Sequence, residues 1–540
     1  MTTSLPFDRQ RGWLILAATI IGAGMVYLDG TIITVALEPI RQEFKASVSD
    51  LQWLLDIYLL FLTIPILVSG SLSDYYGRKR LFNIGLIGFT LASAACALSG
   101  SMNQLNIARA FQGAFGGIML PGSLAILNAT FPPEMRGKTI GTWSAFTALT
   151  TAIGPLLGGW LVDFASWRAA FYINVPLGLA ALALSIRYIP ESRSHTIPDR
   201  QDWLGVTLVT LGLGCLMYGL IEGPVHNWDK PLYFYTFLAG IILLILFAIL
   251  ETRIAHPMIP ISLLKYRLFA GISLLTLLLY FSMSGVFFFV PLLVQQTHDF
   301  SATRTGVLLI PLILLLSVMS RWAGNLADKS GPRQLLIAGP TLIAISLFLA
   351  IIPGPRITPW FAFLNGLSQE DLTLLAYLPA TIIFGLGLGL TVAPLTTVAL
   401  GAVPRHMSGL ASGFSNAVSR VATILAVAIL GAVMLTQFTI SFEKLTEKLP
   451  LSVEQRQYLQ IEKLKLGAAK PPLDMEIELA AQVQAAIDQS FVDGFRLMMA
   501  LCGTLALLGT LVTIFTIEDT IIAHDHVASS ELEIMSPPHL

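Results

Sequence analysis

Charge is what this chain has least of. Only 12% of its 540 residues are Asp, Glu, Lys or Arg, against roughly 25% in an ordinary soluble protein, which excludes a string of water-soluble domains. Cysteine is scarce as well. Cys96, Cys215 and Cys502 all stand inside apolar stretches, so neither a disulfide framework nor a metal cluster is expected, and the three read as packing residues. No basic run of useful length occurs, so no nucleic-acid partner is expected. A Gly-rich phosphate loop is missing too, and the eight histidines are scattered through loops and the tail. ATP-driven transport, enzymatic chemistry and a bound cofactor are therefore not expected.

What is present is apolar length. Residues of the hydrophobic class make up 55% of the chain. A bilayer core of about 30 Å needs roughly 20 apolar residues per helix, and fourteen stretches qualify: about 13–37, 51–69, 81–98, 106–127, 139–162, 171–189, 203–221, 232–250, 268–294, 305–322, 335–352, 372–400, 409–438 and 491–517. Backbone groups in hydrocarbon must pair within their own segment, so these are helices. The fold class expected is an all-α polytopic membrane protein with 14 transmembrane helices.

An even number of spans puts both termini on one side. Lys and Arg gather in the termini and in the loops after even-numbered spans, as in Arg78, Lys79 and Arg80 or Arg253, Lys265 and Arg267, which predicts cytoplasmic termini. The long polar segment at 439–490 is then external. It is expected to be a solvated connector with short amphipathic helices, or a place where an adaptor protein docks.

An internal repeat points to two bundles. GSLSDYYGRKRLFNIG, from Gly70, returns as GNLADKSGPRQLLIAG, from Gly324, with Gly, Asp and Gly at matching offsets. The copies follow spans 2 and 10, an offset of eight helices: six per bundle and two extra. The boundaries expected are 1–190 for the N-terminal six-helix bundle, 203–251 for two additional helices, 268–518 for the C-terminal bundle, and 519–540 for a cytoplasmic tail. Transporters are commonly built so, with substrate bound between halves that rock in alternation.

These motifs, together with LDGTIITVAL from Leu28, IARAFQGAFGG from Ile107, TAIGPLLGG from Thr151 and WRAAFYINVPLG from Trp167, resemble the major facilitator superfamily. Within it they are similar to the fourteen-helix drug:proton antiporters of the EmrB and QacA type. The resemblance spans nearly the whole chain. It implies the major facilitator fold, location in the bacterial plasma membrane, and multidrug efflux by proton antiport. It also implies that Asp74, Gly77 and Arg78, with Asp328 in the second copy, gate the transport cycle. Arg136 is a candidate partner of Asp74. The antiporter motif carries Gly154, Pro155, Gly158 and Gly159, which give helix 5 a kink and a face without side chains.

Intramembrane charges point to mechanism. A charge at the centre of a spanning helix costs about 2.5–3.5 kcal/mol on insertion scales, so such groups face a cavity or pair. At 1.5 Å per residue Asp29 lies about 12 Å, and Asp56 about 8 Å, from the external ends of their helices. Arg109 enters from the same side. Two acids and one arginine leave one carboxylate uncompensated, free to alternate between a proton and a cationic substrate. The resemblance also places a functional acid at Asp29, and QWLLDIYLL from Gln52 is similar to the QacA-type helix 2 with its acid at Asp56.

Tyr280, Phe281, Met283 and Phe287, with Phe288, Phe289, Gln295 and Gln296 beyond, suggest an adaptable apolar pocket wall on helix 9 that could face a cation. Arg420 on helix 13 matches the family position, but the glycine-rich stretch that usually follows is replaced by SRVATILAVAILG. Glu222 reads as a solvated helix-end residue. The function expected is exchange of protons for amphipathic, often cationic small molecules, with membrane lipids around the protein. The alternatives are export of a native lipid or siderophore and, least favoured, a membrane receptor without turnover.

Overall fold

The computed structural model describes residues 9–193, 202–254, 257, 259–353, 368–404 and 407–517. Among the described residues there is no strand. The chain forms α1 (Arg9–Phe44), α2 (Val48–Tyr76), α3 (Arg78–Ala97), α4 (Met102–Thr130), α5 (Pro133–Phe164), α6 (Ala169–Tyr188) and α7 (Trp203–Val225). It continues through α8 (Pro231–Glu251), α9 (Arg267–Thr297), α10 (Ala302–Ser330), α11 (Arg333–Leu349), α12 (Gln369–Gly401), α13 (Ser408–Thr446) and α14 (Ile477–Thr516). Thirteen are long and apolar enough to cross a membrane, and α11 is a shorter apolar helix of 17 residues.

Local chemistry fixes where these helices begin and turn. Ser47 accepts from the Asp50 amide at 3.2 Å while Asp50 accepts from the Ser47 amide at 2.8 Å, a capping box that starts α2. Ser101, Ser301 and Ser368 cap α4, α10 and α12 in the same way through their hydroxyls. Such caps satisfy amide donors that a helix start leaves unpaired. Gly77 between α2 and α3 has φ 109°, and Gly331 between α10 and α11 has φ 83°. A side chain would be strained at both, so the two copies of the sequence repeat make the same glycine-dependent reversal.

Each half has its own packed interior. Tyr58, Leu62, Phe82, Phe89 and Met119 fill the N-terminal bundle; Phe288, Leu312, Phe384, Met434 and Phe495 fill the C-terminal one. Glycine sets the closest approach in the first. A β-carbon at Gly113 or Gly117 of α4 would lie 2.3 Å from the carbonyl oxygen of Tyr58 or Leu62 on α2, which is how small residues let spanning helices meet.

The C-terminal core runs on into Val35, Leu37, Leu51 and Leu54 of α1 and α2. The halves are thus joined at the end carrying the α1–α2 and α9–α10 turns. The extra pair α7 and α8 packs together, and α7 rests over the α2–α13 seam through Leu213, Met217 and Ile221 against Leu60, Ile424 and Ala428.

Two expectations need correction. Glu222 is not a solvated end residue: it accepts a 2.8 Å hydrogen bond from the Trp53 indole, tying α7 to α2. The segment 439–490 holds a short helix of the kind expected, but it is partly buried rather than a solvated connector, and the two flanking helices reach far into it. α13 continues to Thr446, α14 starts at Ile477, and between them lie a short helix Val453–Glu462 and a 3-10 segment Lys463–Ala468. Hydropathy marks only the apolar part of a helix, whereas backbone pairing continues wherever a face such as Val483, Ala486 and Ile487 is covered.

Candidate functional site

The deepest polar cluster is built around Arg109, whose side chain is fully buried. Its Nη1 donates to Asp29 in a buried ion pair and to Gln112 Oε1 at 2.8 Å. Nε donates to the Leu54 carbonyl at 3.4 Å. The guanidinium lies 3.9 Å from the centre of the Tyr58 ring and 5.8 Å from that of Phe171.

Asp29 is held from further sides. Gln112 Nε2 donates to its Oδ1 at 2.8 Å and Asn174 Nδ2 at 3.3 Å, and both amides also donate to Ser93, at 3.1 and 3.0 Å. Ser93 in turn donates to the Phe171 carbonyl at 2.9 Å. Five helices, α1, α2, α3, α4 and α6, are thus tied to one charge pair. Gln112, Ser93 and Asn174 were not singled out from the sequence. The available signal was a glutamine one turn after Arg109 and an asparagine within an apolar stretch.

Asp56 stands apart from this network. It is fully buried, and among the described residues neither carboxylate oxygen has a hydrogen-bond partner. Its place on α2 explains the isolation. One turn earlier, Gln52 donates to the Val427 carbonyl of α13 at 2.7 Å; one turn later, Leu60 packs on Ile424 and Ala428. Asp56 lies on the same stripe, on the seam between the bundles beneath α7, and the opposite face of α2 carries Tyr58 and Leu62 against α4. Sequence depth had put Asp29, Asp56 and Arg109 in one layer; the structure joins only Asp29 and Arg109.

The antiporter motif forms a second seam. A β-carbon at Gly154 would lie 1.9 Å from Thr31 Oγ1 and one at Gly158 3.1 Å from the Ile32 Cα, both on α1. At Gly159 it would lie 2.4 Å from the Ala302 carbonyl of α10, and at Gly306 of α10 it would lie 2.5 Å from the Pro155 carbonyl. Asp163 then accepts from the first amides of α10, at 3.2 Å from Ala302 and 2.8 Å from Thr303. Its negative charge suits a helix N-terminus.

The same end is closed between α1 and α9. Gln295 donates to the Val35 carbonyl at 3.3 Å, and Gln296 to Glu38 at 2.9 Å. Glu38 is held in place by Arg41 through two bonds, at 2.8 and 2.6 Å. With Gln52, these hydrogen bonds join the bundles at this end. At the other end of α5, a β-carbon at Gly137 or Gly141 would meet nothing within 4 Å.

In the loop from Gly70, a β-carbon at Gly77 would lie 2.6 Å from Glu191 Oε1. Glu191 also accepts from the Lys79 amide at 3.2 Å, and the Arg78 amide donates to the Ser192 carbonyl at 3.0 Å. Arg136 donates to the Phe131 carbonyl at 3.0 Å. The side chains of Asp74 and Asp328 lie outside the described residues.

The expected pocket wall divides. Tyr280 lines a cavity of about 90 Å³ with Thr276, Thr396, Ser412, Asn416 and Ser419. Phe281, Met283 and Phe287 are half-buried against the C-terminal core. Phe288 and Phe289, expected on the same wall, are fully buried core side chains, because they sit on the face of α9 turned into its own bundle. Arg420 is half-buried and close enough to act electrostatically on both Tyr58 and Tyr280. Among the described residues it has no ion-pair partner.

Two helical bundles closed on each other at one end, with a buried carboxylate at their seam and a cavity lined by α9, α12 and α13, define a polytopic transporter. The chain belongs to the Major Facilitator Superfamily, whose model matches residues 19–427. It is 32% identical over 511 residues to the tetracenomycin C resistance and export protein of Streptomyces glaucescens, covering 94% of this chain and 92% of that one. It is 32% identical over 431 residues to a puromycin resistance protein of Streptomyces alboniger, covering 79% and 82%. Among solved structures, an inward-facing bacterial homologue of the human lysosomal transporter Spinster matches with a TM-score of 0.61 at 18% identity, covering 95% of this chain and 97% of that one. The inward-open xylose transporter XylE of E. coli matches with a TM-score of 0.55 at 14% identity, covering 97% and 99%. Both likenesses concern the fold.

Proposed function

We propose that this protein exports amphipathic drug-like compounds in exchange for protons, with Asp56 as the group that carries the proton. The observation that supports this most is the pairing difference between the two acids. Asp29 is satisfied by Arg109, Gln112 and Asn174, whereas Asp56 has no hydrogen-bond partner among the described residues. An ionised carboxylate without partners in an apolar seam costs several kcal/mol. In the closed seam Asp56 is therefore neutral; it takes up its proton from outside when this end opens, and it gives the proton up toward the cytoplasm when water or a cation reaches it from the inward side. Asp29 and Arg109 hold the N-terminal bundle together around that event.

With the termini cytoplasmic, the sealed end faces outward and the cavity lined by Tyr280 and Asn416 opens inward, as an exporter collecting cargo from the cell requires. The tetracenomycin and puromycin named for the relatives are compounds of the size and amphipathic character that the reading calls for. One charge crossing 100 mV is worth about 2.3 kcal/mol, enough for a substrate gradient of roughly fiftyfold per proton. The test is substrate-dependent proton release in inverted vesicles, followed with a pH-sensitive dye on adding puromycin or tetracenomycin C. The wild type releases protons and Asp56→Asn does not; an equal signal from the variant would overturn the assignment.

A further inference from the structure

We propose that the groove between α9 and α14, at the end where α9 begins, is a binding site for an anionic glycerophospholipid. The groove is open to the surrounding membrane and has a volume of about 760 Å³. Its walls are apolar: Ala270, Leu274 and Leu278 on α9 face Leu508, Leu511 and Phe515 on α14. Gly271 forms the floor, where a β-carbon would lie 2.2 Å from Thr516 Oγ1. A floor without a side chain between two leucine-rich walls has the section of an acyl chain.

The mouth supplies the charge. Lys265 and Arg267 line the groove, and Arg267 Nη2 donates to the Phe515 carbonyl at 2.9 Å. That bond holds the guanidinium across the end of α14 and leaves its Nη1 and Nε for another acceptor. Lys265 is exposed and, among the described residues, has no ion-pair partner. Nearby, Arg333 of α11 donates to the Ile514 carbonyl at 3.3 Å, adding a third positive charge beside the last turn of α14.

Among the described residues no acidic side chain lines this groove. An apolar slot capped by Lys265 and Arg267 complements a molecule with acyl chains below and a phosphate above. A zwitterionic lipid would fill the slot and bring no net charge to the mouth. Basic pockets between helices on the cytoplasmic side of a bilayer take anionic headgroups in this way, and the Lys and Arg pattern puts this end in that leaflet. The site is independent of which compound the protein carries.

Native mass spectrometry of the full-length protein in detergent tests it, with dioleoylphosphatidylglycerol and dioleoylphosphatidylcholine as the two probes. A basic side chain near a phosphate is worth about fivefold in affinity, so the pair contributes about twenty-five-fold. Wild-type protein is expected to prefer phosphatidylglycerol by that order, Lys265→Gln to lose about fivefold of the preference, and Lys265→Gln with Arg267→Gln nearly all of it. Ala270→Trp fills the slot and keeps both cations, and it should remove the tightly held lipid with the protein still folded. Equal binding of the two lipids by the wild type would overturn the proposal. So would a preference that survives the double variant, or one that is untouched by Ala270→Trp, since the charge would then act without the groove.

Discussion

Gln52 of the N-terminal bundle donates to the Val427 carbonyl of the C-terminal bundle at 2.7 Å, one helical turn from Asp56. The same side chain would collide with any β-carbon at Gly431, whose place lies 1.7 Å from Gln52 Nε2. Beside Asp56 the seam is therefore pinned by one amide fitted against one glycine. A neutral hydrogen bond contributes about 1 kcal/mol net, so Gln52→Ala is expected to open the seam about fivefold more often. A cysteine placed at Ala428, in a background without the three native cysteines, should then react faster with a membrane-impermeant thiol reagent.

Removing Arg109 leaves Asp29 buried without its counter-charge. Breaking a buried pair from one side costs about 3–5 kcal/mol, so Arg109→Ala should lower the unfolding temperature in detergent markedly. Arg109→Lys should not rescue it, because one ammonium cannot reach Asp29, Gln112 and the Leu54 carbonyl together. Asp56→Asn, which removes no partner, should leave that temperature close to wild type.

At Gly159 the backbones of α5 and α10 touch. Gly159→Val would drive a side chain into the Ala302 carbonyl and separate the helices that seal this end. The expected outcome is a vesicle preparation whose imposed pH gradient decays faster than wild type even without substrate, measured with the same pH dye. Gly137→Ala, at a position with open space, serves as the control and should hold the gradient.

His298, just past the end of α9, is buried with Nε2 unpaired and its ring edge-on to Tyr377, 6.1 Å between centres. Burial pushes its pKa down from 6.5 to about 4. A histidine depressed in this way favours the folded state above 6.5, where both states are neutral, and that contribution is lost as pH falls from 6.5 toward 4. The loss is on the order of 3 kcal/mol in total. Unfolding temperature measured against pH should therefore drop across that window, and the drop should be smaller in His298→Phe.

Much of this was legible from the amino acids alone. Asp29 and Arg109 stood out because charges are costly inside apolar spans, and the glycines of the two repeats marked reversals that Gly77 and Gly331 do make. Gln112 and Asn174 were hidden because a neutral amide in a helix is ordinary until its partner is known. The solitude of Asp56 was hidden for a related reason: the sequence shows the turn carrying Gln52, Asp56 and Leu60, but not which helix of the other bundle it faces. Phe288 and Phe289 differ from Tyr280 by rotation about α9 and by about 12 Å of height along it, which decide core from cavity and which a run of aromatics does not encode.

The most direct test separates movement of the carrier from its coupling to protons, in proteoliposomes holding the Asp56→Asn protein. With puromycin on both sides and no pH gradient, labelled puromycin should exchange at a rate close to wild type, because the neutral amide of the variant mimics the protonated carboxyl. With an imposed pH gradient the wild type should accumulate puromycin and the variant should not. Accumulation by Asp56→Asn under the gradient, equal to wild type, would contradict the account.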